Sequence, residues 1–434
     1  MSRIKIKNFG PIREGFVGND GWLDIEKVTV FIGDQGSGKS TVAKLVSLFS
    51  WIEKSVVRNL VSVKLLTDSI FKNLCLQQDI FEYFSKDTFL SYEGDAWNFE
   101  YDGQKKSFNS NVNFRKLEQY VLPKIQYVSS ARNLLTILYN ISGQSIDNNG
   151  NIIDLSSNIP FMVKDLNREY TKALGKLARN GFSLPLNNTS VYYENYRTFI
   201  KAKGKVISMS AASSGIQSIT PLLLVSRYLS EEVQKDVLDK VQNIDNNLKN
   251  RIESEFAKGE GKLSEKFKQL YSFGKEILTK EEDATLLKDK LKQFIPSSFI
   301  NIVEEPEQNL FPTSQQKVIN SLLEYNNALD SNKLIITTHS PYIIGYMTLA
   351  VKAMELYKKA KKEEVRAQIN EIVPQKSAIS HDDLVIYELD EKDGSIHKLD
   401  TYKGIPSSKN YLNSELSEKN ELYAQLLDIE DLCR

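Results

Sequence analysis

Apolar and polar residues alternate from Arg3 to Lys7, the period of a strand with one buried face. Val28 to Ile32 is a continuous apolar run that ends in a glycine-rich turn, and it reads as a buried strand. Apolar residues then return at helical spacing from Ser40 to Trp51. Strand, glycine turn and helix stand in the order that a phosphate-binding element needs. From Phe81 to Phe108 aromatic residues are punctuated by turn signals at Glu93-Gly94-Asp95 and Asp102-Gly103, which predicts two or three antiparallel strands. Lys124 to Val128 predicts another core strand. Asn133 to Arg179 has helical character, broken by a polar surface loop at Ser142–Asn151.

Farther along, Lys205–Met209 reads as a short strand, followed by the small-residue run SAASSGIQS and the apolar helix ITPLLLVSRYL. The charged region Glu231–Lys292 has helical character with poor heptad regularity, so helical hairpins are expected rather than a long coiled coil. Phe299–Val303 and Lys333–Thr338 are apolar strands. From Asp382 onward a hairpin turns at Asp393-Gly394, and Ser417–Leu432 is amphipathic at helical spacing. The pattern divides the chain into an N-terminal lobe (1–132), a helical insertion (133–204), a strand–helix unit (205–230), a charged helical insertion (231–294) and a C-terminal lobe (295–434). The expected class is α/β, with a mixed core sheet, an antiparallel β subdomain and inserted helical subdomains.

Four short segments carry chemistry. Gly33-Asp34-Gln35-Gly36-Ser37-Gly38-Lys39-Ser40, followed by Thr41, is a full match to the phosphate-loop pattern. Its glycines let consecutive N–H groups turn toward phosphate oxygens, while Lys39 supplies charge and the Ser40 hydroxyl suits Mg²⁺. FINIVEEPEQNLFP, from Phe299, is an apolar strand ending in two carboxylates. Glu304 is expected in the Mg²⁺ shell, and Glu305 is expected to polarise the attacking water. A buried strand with a solvated acidic end is the bland alternative, and the phosphate loop upstream tips the balance. Thr337-Thr338-His339-Ser340 follows the next strand, where His339 suits a γ-phosphate switch. Ser213, Ser214 and Gly215 open a helix and offer a second anion site with donors but no lysine. One chain has no need of two triphosphate sites, so the second is expected to cap the γ phosphate held by another copy.

Composition narrows the setting. The 434 residues are 41% hydrophobic and 26% charged, a globular balance. Lys plus Arg and Asp plus Glu both number 56, so no basic surplus supports constitutive nucleic-acid binding. The basic runs at Lys201–Lys205 and Lys358–Lys362 read mainly as solvated faces, with DNA contact the lesser reading. Two distant cysteines, Cys75 and Cys433, suggest a reduced, cytoplasmic protein, and with three scattered histidines they build no metal cluster. The opening MSRIKIKNFG places charges where a secretion signal needs apolar residues, and no later run is apolar enough to span a membrane.

Taken in order, GDQGSGKS, ASSGIQ, EEPEQNLFP and TTHS resemble the Walker A, signature, Walker B with D-loop, and H-loop of ABC-type ATPases. RIKIKNFGPI, the EEPE run with Leu310, Phe311 and Pro312, and TTHSP are similar to the RecF, SMC and OLD branch. The resemblance implies ATP and Mg²⁺ as ligands. It also implies a head-to-tail homodimer with ATP held between one P-loop and the partner's signature, possibly within a higher oligomer. Glu307 and Asn309 would then lie in a D-loop crossing that interface. Gln126 is a candidate Q-loop glutamine and Arg132 a candidate to reach the same site; an ordinary surface position is the alternative for both. About eighty residues between signature and Walker B exceed a connecting loop and argue against a transporter subunit. No acidic cluster suggests the nuclease domain fused to OLD proteins. The functions expected are therefore an ATP-driven sensor or clamp in DNA metabolism or anti-phage defence with a separate effector such as a nuclease, or an ATP-gated scaffold that hydrolyses slowly.

Overall fold

In the computed structural model the described residues are 2–117, 119–135, 144–146, 152–154, 161–186, 188–258, 261–278, 280–414, 421–423 and 425–426. The chain opens with β1 (Ser2–Phe9), β2 (Gly15–Phe16), β3 (Leu23–Ile25) and β4 (Val28–Gly33). β4 is buried on both faces, as its unbroken apolar run requires. After the P-loop helix Lys39–Val57 come β5 (Phe84–Glu93), β6 (Trp97–Asp102), β7 (Ser107–Val112) and β8 (Pro123–Val128). A five-stranded antiparallel sheet forms in the order β3-β1-β5-β6-β7. It lies over the P-loop helix, where Phe49 stacks on Phe71 and Tyr92 with ring centroids 5.5 and 5.3 Å apart. Buried Glu53 ties the two together by accepting the N–H groups of Ala96 (2.6 Å) and Trp97 (2.9 Å).

The stretch 133–204, expected to be a helical insertion, is a correction. Among its described residues it is helical beyond the 3-10 turn Ser130–Asn133 only at 134–135 and, without a break, over 161–178. β9 (Gln144–Ile146) pairs with β10 (Ile152–Asp154) beside and within the expected loop. β11 (Phe182–Ser183), β12 (Thr189–Glu194), β13 (Arg197–Ala202) and β14 (Lys205–Ser208) form a four-stranded antiparallel sheet. The alternation in TSVYYE and RTFIKA, separated by a turn at Asn195-Tyr196 with both residues at positive φ, is the local cause.

The signature helix Ser214–Gln234 continues beyond residue 230. The charged region then forms helices Asn246–Ala257, Gly261–Phe273 and Glu281–Leu291 around their own apolar cluster, with Ile252, Phe256, Phe267 and Leu287 at its centre. Lys240 Nζ reaches the carbonyls of Val233 (3.2 Å) and Pro296 (2.9 Å) at the two ends of this unit.

β15 (Ser298–Glu304), β16 (Lys333–Thr337), β17 (Leu384–Leu389) and β18 (Ser395–Lys398) complete the core sheet, and β19 (Thr401–Tyr402) pairs with β20 (Ile405–Pro406) beyond it. The core sheet runs β2-β18-β17-β4-β16-β15-β8, with β17, β4, β16, β15 and β8 mutually parallel. One face carries the P-loop helix and the antiparallel sheet. The other carries helices Phe161–Ala173, Ser214–Gln234, Pro312–Asn327 and Pro341–Lys359. Parallel strands present their carboxyl ends together, so the turns after β4, β15 and β16 gather at one edge. Residues 421–423 and 425–426 are helical, and the rest of the amphipathic stretch Ser417–Leu432 lies outside the described residues, as does Cys433. Among the described residues no helix is long and apolar enough to cross a membrane.

Candidate functional site

The glycine loop follows β4 directly. Gly38 has φ 101°, a left-handed conformation that favours glycine, and a Cβ there would come 2.9 Å from Ile12 Cγ1. The turn after β1 therefore props the loop from below. Helix Lys39–Val57 starts at Gly38 with no side-chain cap, so its first N–H groups face outward without a protein acceptor from that residue. Lys39 is buried, and its Nζ donates to the carbonyls of Gly33 (3.0 Å) and Asp34 (2.6 Å) and to Ser37 Oγ (3.4 Å). Burial pushes this ammonium down to about 8, against Glu305, Asp34 and Glu307, which raise it. Asp34, Gln35, Gly36 and Ser40 are exposed, while Ser37 and Thr41 are buried. An uncapped helix start, a lysine curled over its own loop and an exposed Ser40 hydroxyl fit a phosphate chain and its divalent cation.

Glu304 ends β15 and is buried. Its Oε1 accepts Tyr127 O–H at 2.6 Å and its Oε2 accepts Ser130 N–H at 2.9 Å, both from the adjoining β8 side. Each oxygen retains a further lone pair that could accept from a cation's hydration water. Glu305 follows at φ 44° with its N–H bonded to the Thr337 carbonyl at 2.8 Å. A left-handed backbone at a non-glycine residue stores strain of order 1 kcal/mol, and neighbours must hold it. The Glu305 carboxylate is half-exposed, and its Oε1 stands 3.8 Å from His339 Nε2. Burial and the nearby Lys39 hold the His339 imidazole below its ordinary value, while Glu305, Asp34 and the Gly33 carbonyl oppose this. The fold thus gathers Lys39, Asp34, Glu305 and His339 in one electrostatic neighbourhood.

Ser213 and Ser214 are exposed and begin the signature helix without a side-chain cap. Gln217 Nε2 donates to the carbonyls of Met209 (3.3 Å), Ser210 (3.0 Å) and Ala212 (3.0 Å), which fixes the loop ahead of it. Gly215 is buried against the chain's own D-loop: a Cβ there would lie 2.6 Å from the Asn309 carbonyl oxygen. Ser218 Oγ meets Gln308 Oε1 at 3.1 Å beside it. Among the described residues no hydrogen bond joins 213–215 to the glycine loop.

Within the chain, Glu307 Oε1 accepts Thr338 Oγ1 (2.7 Å) and His339 N–H (2.9 Å). The surface alternative for Gln126 and Arg132 does not hold, and Arg132 does reach the Glu304–Glu305 turn. Gln126 is buried in β8, and its amide donates to the Tyr127 carbonyl at 3.1 Å, so it is neither a surface residue nor turned to the glycine loop. Arg132 has no exposed surface, and its bonds run to backbone carbonyls. Residue reasoning missed Tyr411, whose O–H donates to Asp34 Oδ2 at 3.0 Å; nothing in its local sequence marks that contact. The basic run Lys358–Lys362 ends a helix, where Lys359 pairs with Glu355.

The AAA ATPase domain family model matches residues 287–344, which span the carboxylate-ended strand and the histidine turn. No curated protein matches the chain. Solved structures similar to it include the SMC head domain from Thermotoga maritima, at 9% identity and TM-score 0.36, covering 92% of this chain and 98% of that one. An SMC head bound to the C-terminal winged-helix domain of ScpA matches at 11% identity and TM-score 0.36, covering 92% and 96%. A third, an SMC head with an extended coiled coil bound to a ScpA domain derived from Pyrococcus furiosus, matches at 10% identity and TM-score 0.36, covering 98% and 100%.

Proposed function

We propose that this chain binds and hydrolyses ATP and that two copies close head to tail on it. Gly33 to Thr41 cradle the phosphates, with Lys39 as counter-charge. Ser40, with Glu304 behind it, would hold Mg²⁺, which would supply positive charge against the phosphates. Glu305 accepts a proton from the attacking water, and His339 stands beside it as a donor to the γ phosphate. Ser213 to Gly215 of the second copy cap that phosphate.

One observation carries the reading. The exposed, uncapped start of the signature helix makes no hydrogen bond to its own glycine loop, and its Gly215 is packed on its own D-loop. Such an anion-seeking surface is best satisfied by another copy's triphosphate. Closure of this kind suits a sensor or clamp in DNA metabolism or anti-phage defence that governs a separate effector such as a nuclease. DNA is a candidate partner, though the zero net charge gives no basic surplus to hold it constitutively.

The test is ATP-dependent mass by light scattering. Glu305→Gln keeps nucleotide binding, slows hydrolysis by at least about 10²-fold and accumulates a dimer. Ser213→Arg in the same background binds ATP and stays monomeric. A Ser213→Arg chain that still dimerises on ATP refutes the in-trans site. The scaffold reading draws on Glu304, whose oxygens both already accept donors. Equal, negligible turnover in the native chain and Glu305→Gln selects it.

A further inference from the structure

Arg132 is a fully buried cation without a direct carboxylate partner: all its hydrogen bonds go to backbone carbonyls. Nη1 donates to the Glu304 carbonyl at 2.6 Å and Nη2 to the Glu305 carbonyl at 2.6 Å. Nη1 also reaches the Ser129 carbonyl at 3.2 Å, and Nε donates to Ser218 O at 3.2 Å on the signature helix. Burying a guanidinium is costly unless its donors are well used, and a planar fork suits two neighbouring acceptors. Here the fork closes on the two peptide carbonyls that flank the left-handed turn at Glu305.

We infer that Arg132 is a positioning residue: it fixes the water-activating carboxylate of Glu305 through its backbone and ties that turn to the signature helix of the same chain. The inference rests on the ATPase reading above. Glu305 has three further anchors: its N–H on Thr337 O, its carbonyl on the Gln308 N–H, and its carboxylate beside His339. Without the fork the strained turn keeps only the Gln308 N–H, 3.0 Å from the Glu305 oxygen, on its carbonyl side, and relaxation swings the side chain away from the γ phosphate. The same guanidinium makes Ser218 and Glu305 move together. The start of the signature helix, which would cap one ATP of the dimer, is thereby joined to the carboxylate that activates the water at the other.

The experiment uses the full chain and compares Arg132→Ala, Arg132→Lys and Ser226→Ala by steady-state turnover, affinity for a fluorescent ATP analogue and melting temperature. Ser226→Ala removes a different buried link between β15 and this helix, the 2.9 Å bond to Asn301, away from the turn. Arg132→Ala is expected to lose about 10²-fold in kcat with analogue affinity within about threefold of native, since a misplacement near 1 Å costs that much. Arg132→Lys should recover part of the loss, and guanidinium ion at non-denaturing concentration should raise kcat in Arg132→Ala alone. Ser226→Ala should melt lower yet turn over normally. Native-like kcat in Arg132→Ala overturns the inference. So does a loss of kcat, affinity and melting temperature in parallel, with no rescue by guanidinium. A native chain without turnover overturns the ATPase reading itself, and this inference with it.

Discussion

The carboxylate of Glu307 accepts the backbone N–H of His339 at 2.9 Å. The same oxygen takes Thr338 Oγ1 at 2.7 Å, and burial, the largest influence on this carboxyl, raises it above the usual range. An acidic residue of the D-loop therefore sets the backbone of the histidine turn. Glu307→Ala strands two donors and should cost about 1–3 kcal/mol in urea denaturation, together with a fall in turnover. Glu307→Gln, which keeps an amide oxygen, should retain most of both. Equal damage from the two substitutions would dismiss the acceptor role.

Nucleotide affinity should weaken in alkali. The unliganded Lys39 ammonium sits at about 8, and only its charged form complements phosphate. Above that pH the free protein must take up a proton to bind, so affinity falls by up to about tenfold per pH unit. Calorimetric titration with a non-hydrolysable ATP analogue at pH 7, 8 and 9 measures the slope. Lys39→Ala should bind at none of them. A flat profile in the native chain contradicts the account.

Gly215→Ala should destabilise the folded chain by about 1–3 kcal/mol, because its new methyl meets the Asn309 carbonyl with no room to retreat. Gly345 lies in helix Pro341–Lys359 with nothing near its would-be Cβ. There the same exchange should be neutral or stabilising by up to about 1 kcal/mol. Comparable losses at the two positions would mean the D-loop gives way.

Glu53 imposes a pH dependence on stability. Burial, with Asp95 next, lifts its carboxyl from 4.5 to about 7, despite the two N–H donors. The folded chain thus holds a proton that the unfolded chain has lost between those values. Stability from this group is largest below pH 4.5, falls as pH rises through the window, and is level above about 7. Glu53→Gln lacks the titration, so its stability relative to native should climb from pH 5 to pH 7 in chemical denaturation. A constant difference across that range would show that the carboxyl titrates normally.

Much of the site was legible because its cues are local. Glycines with a lysine and serine at fixed offsets, and an apolar run ending in Glu304 and Glu305, announce themselves within a few residues. The core strands followed from their unbroken apolar runs, which β4, β15 and β16 match within a residue or two. What escaped depends on distant partners. Nothing around Arg132 tells that its acceptors are carbonyls some ninety and one hundred and seventy residues away. Glu307 follows two acidic residues and a proline, a context that suits solvent as well as a buried acceptor. β14 was legible as a strand at Lys205–Met209, but β11–β13 were overlooked for a different reason. They are short and lie between helical stretches, so a wide window averages their alternation away.

The bridge from Lys240 to Val233 and Pro296 has a further consequence for how this architecture tolerates change. Where the chain leaves for the helical bundle and where it returns are spanned by a single side chain, so the bundle hangs from a narrow neck. Lengthening or shortening what hangs there changes a loop whose closure entropy grows only with the logarithm of its size. The head can accordingly gain or shed helices at this neck while the strand that follows, with Glu304 and Glu305 at its tip, keeps its register.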